Sequence, residues 1–260
     1  MSDSTDIRVV VREKYGAIAE GKDPGCCASG CCSGDTAVLD QLGYTAKQSA
    51  TIPEGANLGL GCGNPLAFAQ AQPGETVLDL GSGAGIDCFL AASEVGPSGS
   101  VIGVDMTPAM IERARANAAK AGAANVEFRL GEIEHLPVAD GSVDLIISNC
   151  VVNLSPDKPQ VFREALRALK PGGRLLVSDL VLTRPLTPEL QNDVDLYVGC
   201  VAGASLREDY LRMMREAGFA GVEMLSEGRY EVGRGALAEG SAAREAFEAV
   251  VSVKVRARKP

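Results

Sequence analysis

The stretch VLDLGSGAG, residues 77–85, constrains this chain more than any other part of it. A short apolar run, TVLDL (76–80), passes directly into three glycines, Gly81, Gly83 and Gly85. Glycines at that spacing let the backbone bend sharply into a helix and come close to a ligand. The segments that follow keep the alternation. GIDCFLAASEV (85–95) fits a helix and SVIGVD (100–105) a strand. PAMIERARANAAKAG (108–122) predicts a helix opened by Pro108 and stopped by Gly122. NVEFRL (125–130), SVDLIIS (142–148) and GRLLVSDLV (173–181) read as three more strands, with a helix over 156–173 before the last. Strands alternating with helices imply a parallel α/β sheet covered on both faces.

The flanks have another character. Residues 5–20 predict a short amphipathic helix through Ile7, Val10, Val11, Tyr15 and Ile18, and 65–72 a second one. Between them lies the Gly/Ser/Cys-rich stretch GKDPGCCASGCCSGD (21–35). After a predicted helix over 205–219, AGVEMLSEG and EAFEAVVSVKVRA read as two consecutive strands, an antiparallel pair closing one sheet edge. Three parts result: a cap with a cysteine-rich segment (1–72), a core (73–183), and a C-terminal part that completes the sheet (184–260).

The formal net charge of -9 carries no basic stripe for nucleic acid. MSDSTDIRVVVREKYG lacks the basic start and apolar run of a leader, and no apolar stretch is long enough to cross a bilayer. A cytoplasmic location is expected, without membrane or nucleic-acid partners. In that compartment eight cysteines invite catalytic or metal-binding readings more than structural disulfides.

Asp105 ends the second strand, where a carboxylate can grip two ribose hydroxyls, and Glu132 and Ile133 follow the third, placed to flank a purine. The glycines do not have the G-x-G-x-x-G spacing of a pyrophosphate grip, and no P-loop ending is present. A cofactor with ribose and adenine, no phosphate and a positively charged amino-acid tail near Asp79 fits better, which describes S-adenosylmethionine.

The LDLGSG turn, the strand-end aspartate and the LPV-DGS-D segment resemble the class I S-adenosylmethionine-dependent methyltransferases. The resemblance implies a Rossmann-like, seven-stranded, mostly parallel sheet with an antiparallel last strand and helices on both faces. It also implies that Gly81 and Gly83 line the methionyl moiety, Asp105 holds the ribose, Met106 is a further cofactor-binding residue, Glu132 and Ile133 border the adenine, and Asn149 and Cys150 face the methyl group.

Three isolated cysteines remain. Cys62 in GLGCGNP, Cys150 and Cys200 each stand beside glycine or a strand-end polar residue. Cys62 is expected in an exposed loop as a small filler, one end of a disulfide, or a thiolate awaiting something soft. If the three meet, they suit a thiophilic centre. Zinc normally takes a fourth ligand, whereas arsenic(III) is three-coordinate and keeps a lone pair. His135 is expected to be an ordinary surface residue and Cys88 a core residue.

YGAIAE, LGLGCGNP, GVDMTPAM, FRLGEIEHLPV, SNCVVNLSPDK and CVAGA together resemble the microbial arsenite methyltransferases over nearly the whole chain. The resemblance implies Cys62, Cys150 and Cys200 as arsenic ligands. It implies Cys32, with Cys31 close behind, as an upstream thiol exchanging with Cys62, and thioredoxin or glutathione as reductant. Cys26, Cys27, Cys31 and Cys32 also allow arsenic capture, adventitious metal, oxidative pairing or no role beyond a flexible loop. Two other functions stay open: a carbon- or oxygen-methyltransferase of a small organic substrate, and an arsenic-binding protein without turnover.

Overall fold

The computed structural model describes residues 6–23, 36–230 and 238–260, so Cys26, Cys27, Cys31 and Cys32 lie outside the described residues. Four short helices lead in: α1 (Ile7–Ala19), α2 (Thr36–Gln41), α3 (Ala46–Thr51) and α4 (Leu66–Ala69). Helices α5 (Ile86–Val95), α6 (Pro108–Ala121) and α7 (Lys158–Ala168) follow, then α8 (Pro188–Gln191), α9 (Val194–Val198), α10 (Arg207–Glu216) and α11 (Ala242–Glu248). The strands are β1 (Thr76–Leu80), β2 (Ser100–Asp105), β3 (Val126–Leu130), β4 (Val143–Asn149), β5 (Leu169–Leu182), β6 (Ala220–Arg229) and β7 (Val250–Arg258).

They form one seven-stranded sheet in the order β3-β2-β1-β4-β5-β7-β6. The first five are parallel, and β7 runs antiparallel between β5 and β6. Central strands buried on both faces read as nearly continuous apolar runs. Leu78, Leu80 and Ile146 pack under α7 and α10, while Val77, Leu145 and Ile147 pack under α5 and α6. Strand order reverses between β1 and β4, and in such sheets a ligand crevice opens at the carboxyl ends beside that switch point. The Gly81–Gly85 turn and Asn149–Cys150 therefore come together there.

Two boundaries differ from expectation. The helix predicted to reach 173 ends at Ala168, because Pro171 has no N–H to continue it and Leu169 already pairs with Val143 of β4. The segment EAFE is the end of α11, not a strand. Ser241 caps that helix, its Oγ accepting from Arg244 N at 3.2 Å, and Phe247 stacks on Tyr230 with ring centres 6.0 Å apart. The expected antiparallel pair is present, with a short helix in its connection. Among the described residues no helix is long and apolar enough to cross a membrane.

Candidate active site

The crevice is a deep cavity floored by the glycine turn. Gly81 N–H and Ser82 N–H both donate to Val104 O, at 2.8 and 3.0 Å, tying the turn to β2. A side chain at Gly81 would collide with Val151, and one at Gly85 would meet Phe128 at 2.7 Å. Gly83 differs: a Cβ there meets nothing within 4 Å, so this face of the turn is open to a ligand. Asp105 stands beside it, accepting from Gly83 N–H at 3.0 Å and from Thr107 N–H at 2.8 Å, with Met106 also lining the cavity. Both amides hold the carboxylate in place and leave it further lone pairs for hydroxyl donors. Replacing Asp105 by alanine is expected to weaken S-adenosylmethionine binding by about 2–4 kcal/mol, the worth of two charge-assisted hydrogen bonds, with As(III) binding nearly intact. Calorimetric titration with each ligand checks this; an unchanged cofactor affinity removes Asp105 from the site.

The other end of the cavity holds two buried acids, Asp79 and Asp87. Burial, then the charge of Asp87, pushes the Asp79 carboxyl well above its usual range; Cys88 Sγ donates to it at 3.3 Å. Asp87 accepts from Tyr44 OH at 2.8 Å and Asn149 Nδ2 at 3.0 Å, and burial raises its pKa to about 6. Two desolvated acids side by side gain from a cation between or beside them, and S-adenosylmethionine carries one at its sulfonium and another at its ammonium. Binding such a cation favours the ionised form, so below about pH 6 Asp87 must first lose a proton. Cofactor affinity is therefore expected to fall as the pH drops through about 6, by up to about tenfold per unit. Titrations across this range check the sign, and Asp87→Asn is expected to flatten the profile.

The two residues expected to flank the purine lie in different surroundings. Ile133 lines the cavity, but the Glu132 carboxylate is taken by two guanidinium groups of α1, Arg8 at 3.2 Å and Arg12 at 3.3 Å. Arg8 and the buried Glu134 occupy the wall instead, Glu134 bonded to Ser155 Oγ. His135 is exposed and Cys88 is fully buried, as the sequence implied.

The cysteines depart most from expectation, and Cys62 is not among the residues that line the cavity. Cys62 is buried, only 3% exposed, and paired with Cys150 as a disulfide with Cα atoms 5.6 Å apart. Its flanking glycines do not strip away neighbours; they admit them. A Cβ at Gly61 would press on Asn149 at 3.1 Å, and one at Gly63 would collide with Ser178 Oγ and reach Lys254 Cε at 3.0 Å. Asn149 braces the loop on both sides: Oδ1 accepts from Cys62 N–H at 3.1 Å, and Nδ2 donates to Gly63 O at 2.7 Å. The Cys62 carbonyl accepts from Ser252 Oγ at 2.8 Å. Asn149 thus links the thiol loop to Asp87, besides lining the cavity.

Cys150 and Cys200 both line the cavity, and the Cys200 thiol donates to Cys150 O at 2.9 Å. Their backbones share an uncommon feature, φ of +58° and +63°, which among the described non-glycine residues only Gln70 repeats. Left-handed backbone at a side-chain-bearing residue costs roughly 1–2 kcal/mol, and such positions cluster at functional sites. The trio closest in space is not the three cysteines. Sulfur and carboxylate oxygen atoms of Cys62, Cys150 and Asp179 lie within 4.8 Å of one another. Asp179 is fully buried, and burial raises its pKa to about 7. Tyr44, Asp87, Glu134 and Asp179 went unmarked in the sequence. Only Asp87, two residues past Gly85, had a local signal.

The chain matches the methyltransferase-domain family over residues 71–218. It is 53% identical to the arsenite methyltransferase of Halobacterium salinarum over 99% of its own length and 68% of that protein. Against the arsenite methyltransferase of Aquipseudomonas alcaligenes it is 46% identical over 74% of its length, spanning 57% of the relative. The crystal structure of an arsenic(III) S-adenosylmethionine methyltransferase from Chlamydomonas reinhardtii superposes with a TM-score of 0.66 at 35% identity, covering 86% of this chain and 73% of that one.

Proposed function

We infer the activity from one premise: the chain belongs to the arsenite methyltransferase family, within the class I S-adenosylmethionine-dependent methyltransferases. It transfers the sulfonium methyl group of S-adenosylmethionine to trivalent arsenic held by sulfur, releasing S-adenosylhomocysteine and methylated arsenicals. The observation that carries this reading is that Cys150 and Cys200, both on left-handed backbone, open into the same cavity as the glycine turn and Asp105.

Each residue has a task in that geometry. Asp105 holds the ribose, Ile133 packs on the adenine, and the open face at Gly83 admits the methionyl chain. Asp79 and Asp87 favour the cationic end. Cys150 and Cys200, joined by Cys62, replace the hydroxyls of arsenite with sulfur and hold the arsenic so that its lone pair faces the methyl carbon. An As–C bond forms as the S–C bond breaks. Arsenic has no proton to lose, so no general base is needed; the protein contributes approach geometry. Methyl transfer oxidises arsenic by two electrons, and restoring the trivalent state requires a thiol pair that ends as a disulfide. Cys62 and Cys150 as paired here must be opened before both can bind arsenic. A thiol reductant of the thioredoxin or glutathione kind, in a reducing compartment such as the cytoplasm, supplies both needs.

The test is to incubate the reduced protein with As(III) and S-adenosylmethionine, quantify S-adenosylhomocysteine and separate the arsenic species. Methylarsenicals and S-adenosylhomocysteine should rise together. S-adenosylhomocysteine formed only with an organic acceptor would favour that other substrate class, and As(III) binding without its release would indicate a binding protein.

A further inference from the structure

The proposed reaction uses the sulfurs of Cys62 and Cys150 but leaves Asp179, their nearest acidic neighbour, without a task. That carboxylate is held from several directions. Asn153 Nδ2 and Leu180 N–H each donate to Oδ1 at 2.9 Å, and Tyr210 OH donates to Oδ2 at 3.1 Å. Outer partners of this kind orient a ligating carboxylate. Arsenic(III) does not require it, since three thiolates replace its hydroxyls and neutralise it. A thiophilic divalent cation does have a use for it: such ions take four ligands and accept carboxylate oxygen beside thiolate.

We propose that Cys62, Cys150 and Asp179, once the disulfide is reduced, form a binding site for a divalent cation of the zinc or cadmium class. A water molecule fills the fourth position. Each thiol gives its proton to solvent on binding and no electrons move. The cation takes two sulfurs that arsenic needs, so it competes with As(III) and blocks methylation, while also shielding the pair from reoxidation. The site rests on the same sulfurs as the proposed function but not on the methyl transfer.

The experiment uses the full-length chain with Cys26, Cys27, Cys31 and Cys32 changed to serine, so that only the buried site is read. A phosphine opens the disulfide, taking a water oxygen to become its oxide and leaving two thiols. Cadmium is then titrated, following sulfur-to-cadmium charge-transfer absorption and heat. One equivalent is expected to bind. Cys62→Ser and Cys150→Ser should abolish the signal, and Asp179→Asn should weaken binding about tenfold or more. Cys200→Ser should bind cadmium as the parent does while binding As(III) more weakly. S-adenosylhomocysteine affinity reports that Asp179→Asn is folded; if it is not, Tyr210→Phe keeps the carboxylate, removes one brace and should still weaken cadmium binding. Unchanged cadmium affinity in the folded Asp179 variant, or binding that depends on Cys200 instead, overturns the site. Cadmium binding without any As(III) binding would support it while removing the arsenic reading.

Discussion

Serine at Cys150 or at Cys200 is expected to abolish methylation of both inorganic arsenite and methylarsenite, a loss on the order of a thousandfold. The two sulfurs line the cavity and lie on adjoining backbone, with the Cys200 thiol against Cys150 O at 2.9 Å. Their left-handed backbones are conformations that glycine adopts at no steric cost. Both cysteines are buried among Leu154, Leu180 and Val201, and their backbone strain is intelligible if the sulfur must point at a substrate. Serine keeps the volume and the hydrogen-bonding capacity but offers a hard, neutral ligand in place of a soft thiolate. Folding should survive, so each variant should bind S-adenosylhomocysteine as the parent does. Rates on both arsenicals, with that affinity as the control, decide the point; retained activity on either arsenical in one of these variants would remove that cysteine from the ligand set.

Cys62→Ser is expected to behave differently. Inorganic arsenite offers three positions for sulfur, whereas methylarsenite offers two, and Cys150 with Cys200 can fill both. Methylation of arsenite should fall by about a hundredfold, and that of methylarsenite should stay within about threefold of the parent. The burial of Cys62 sharpens this contrast. Its loop is clamped by Asn149 and Ser252 through backbone groups as well as by the sulfur pair with Cys150, so in the reduced protein serine should leave the loop in place. The variant therefore tests the sulfur alone. Equal loss on both substrates would mean that Cys62 supports the cavity; normal rates on both would make it a filler.

What was legible in the sequence follows from range. The LDLGSG turn, Asp105 and the Pro108–Gly122 helix are local patterns, each fixed by residues a few positions apart, and the structure has them where the pattern put them. EAFE failed as a strand because its apolar spacing suits a helix as well, and the cap Ser241 decided the outcome. Glu132 was placed at the correct strand end, but its direction depended on Arg8 and Arg12, more than a hundred residues earlier. Cys62 looked exposed because glycine contributes no side chain to a linear reading. In three dimensions that same lack lets Ser178 and Lys254 approach the loop. The acid pair Asp79 and Asp87 was half visible, since its pairing needs the first turn of α5 folded against β1. Tyr44 and Asp179 had no local signal at all; each matters through partners on distant elements.

The claim that three separated cysteines meet around one arsenic atom is tested most directly by X-ray absorption at the arsenic edge. The reduced full-length chain, with serine at positions 26, 27, 31 and 32, would be loaded with one equivalent of As(III). Three sulfur neighbours and no oxygen are predicted, falling to two sulfurs and one oxygen when Cys62, Cys150 or Cys200 is replaced by serine. An arsenic shell made mainly of oxygen, or one unchanged by those three substitutions, would contradict the account.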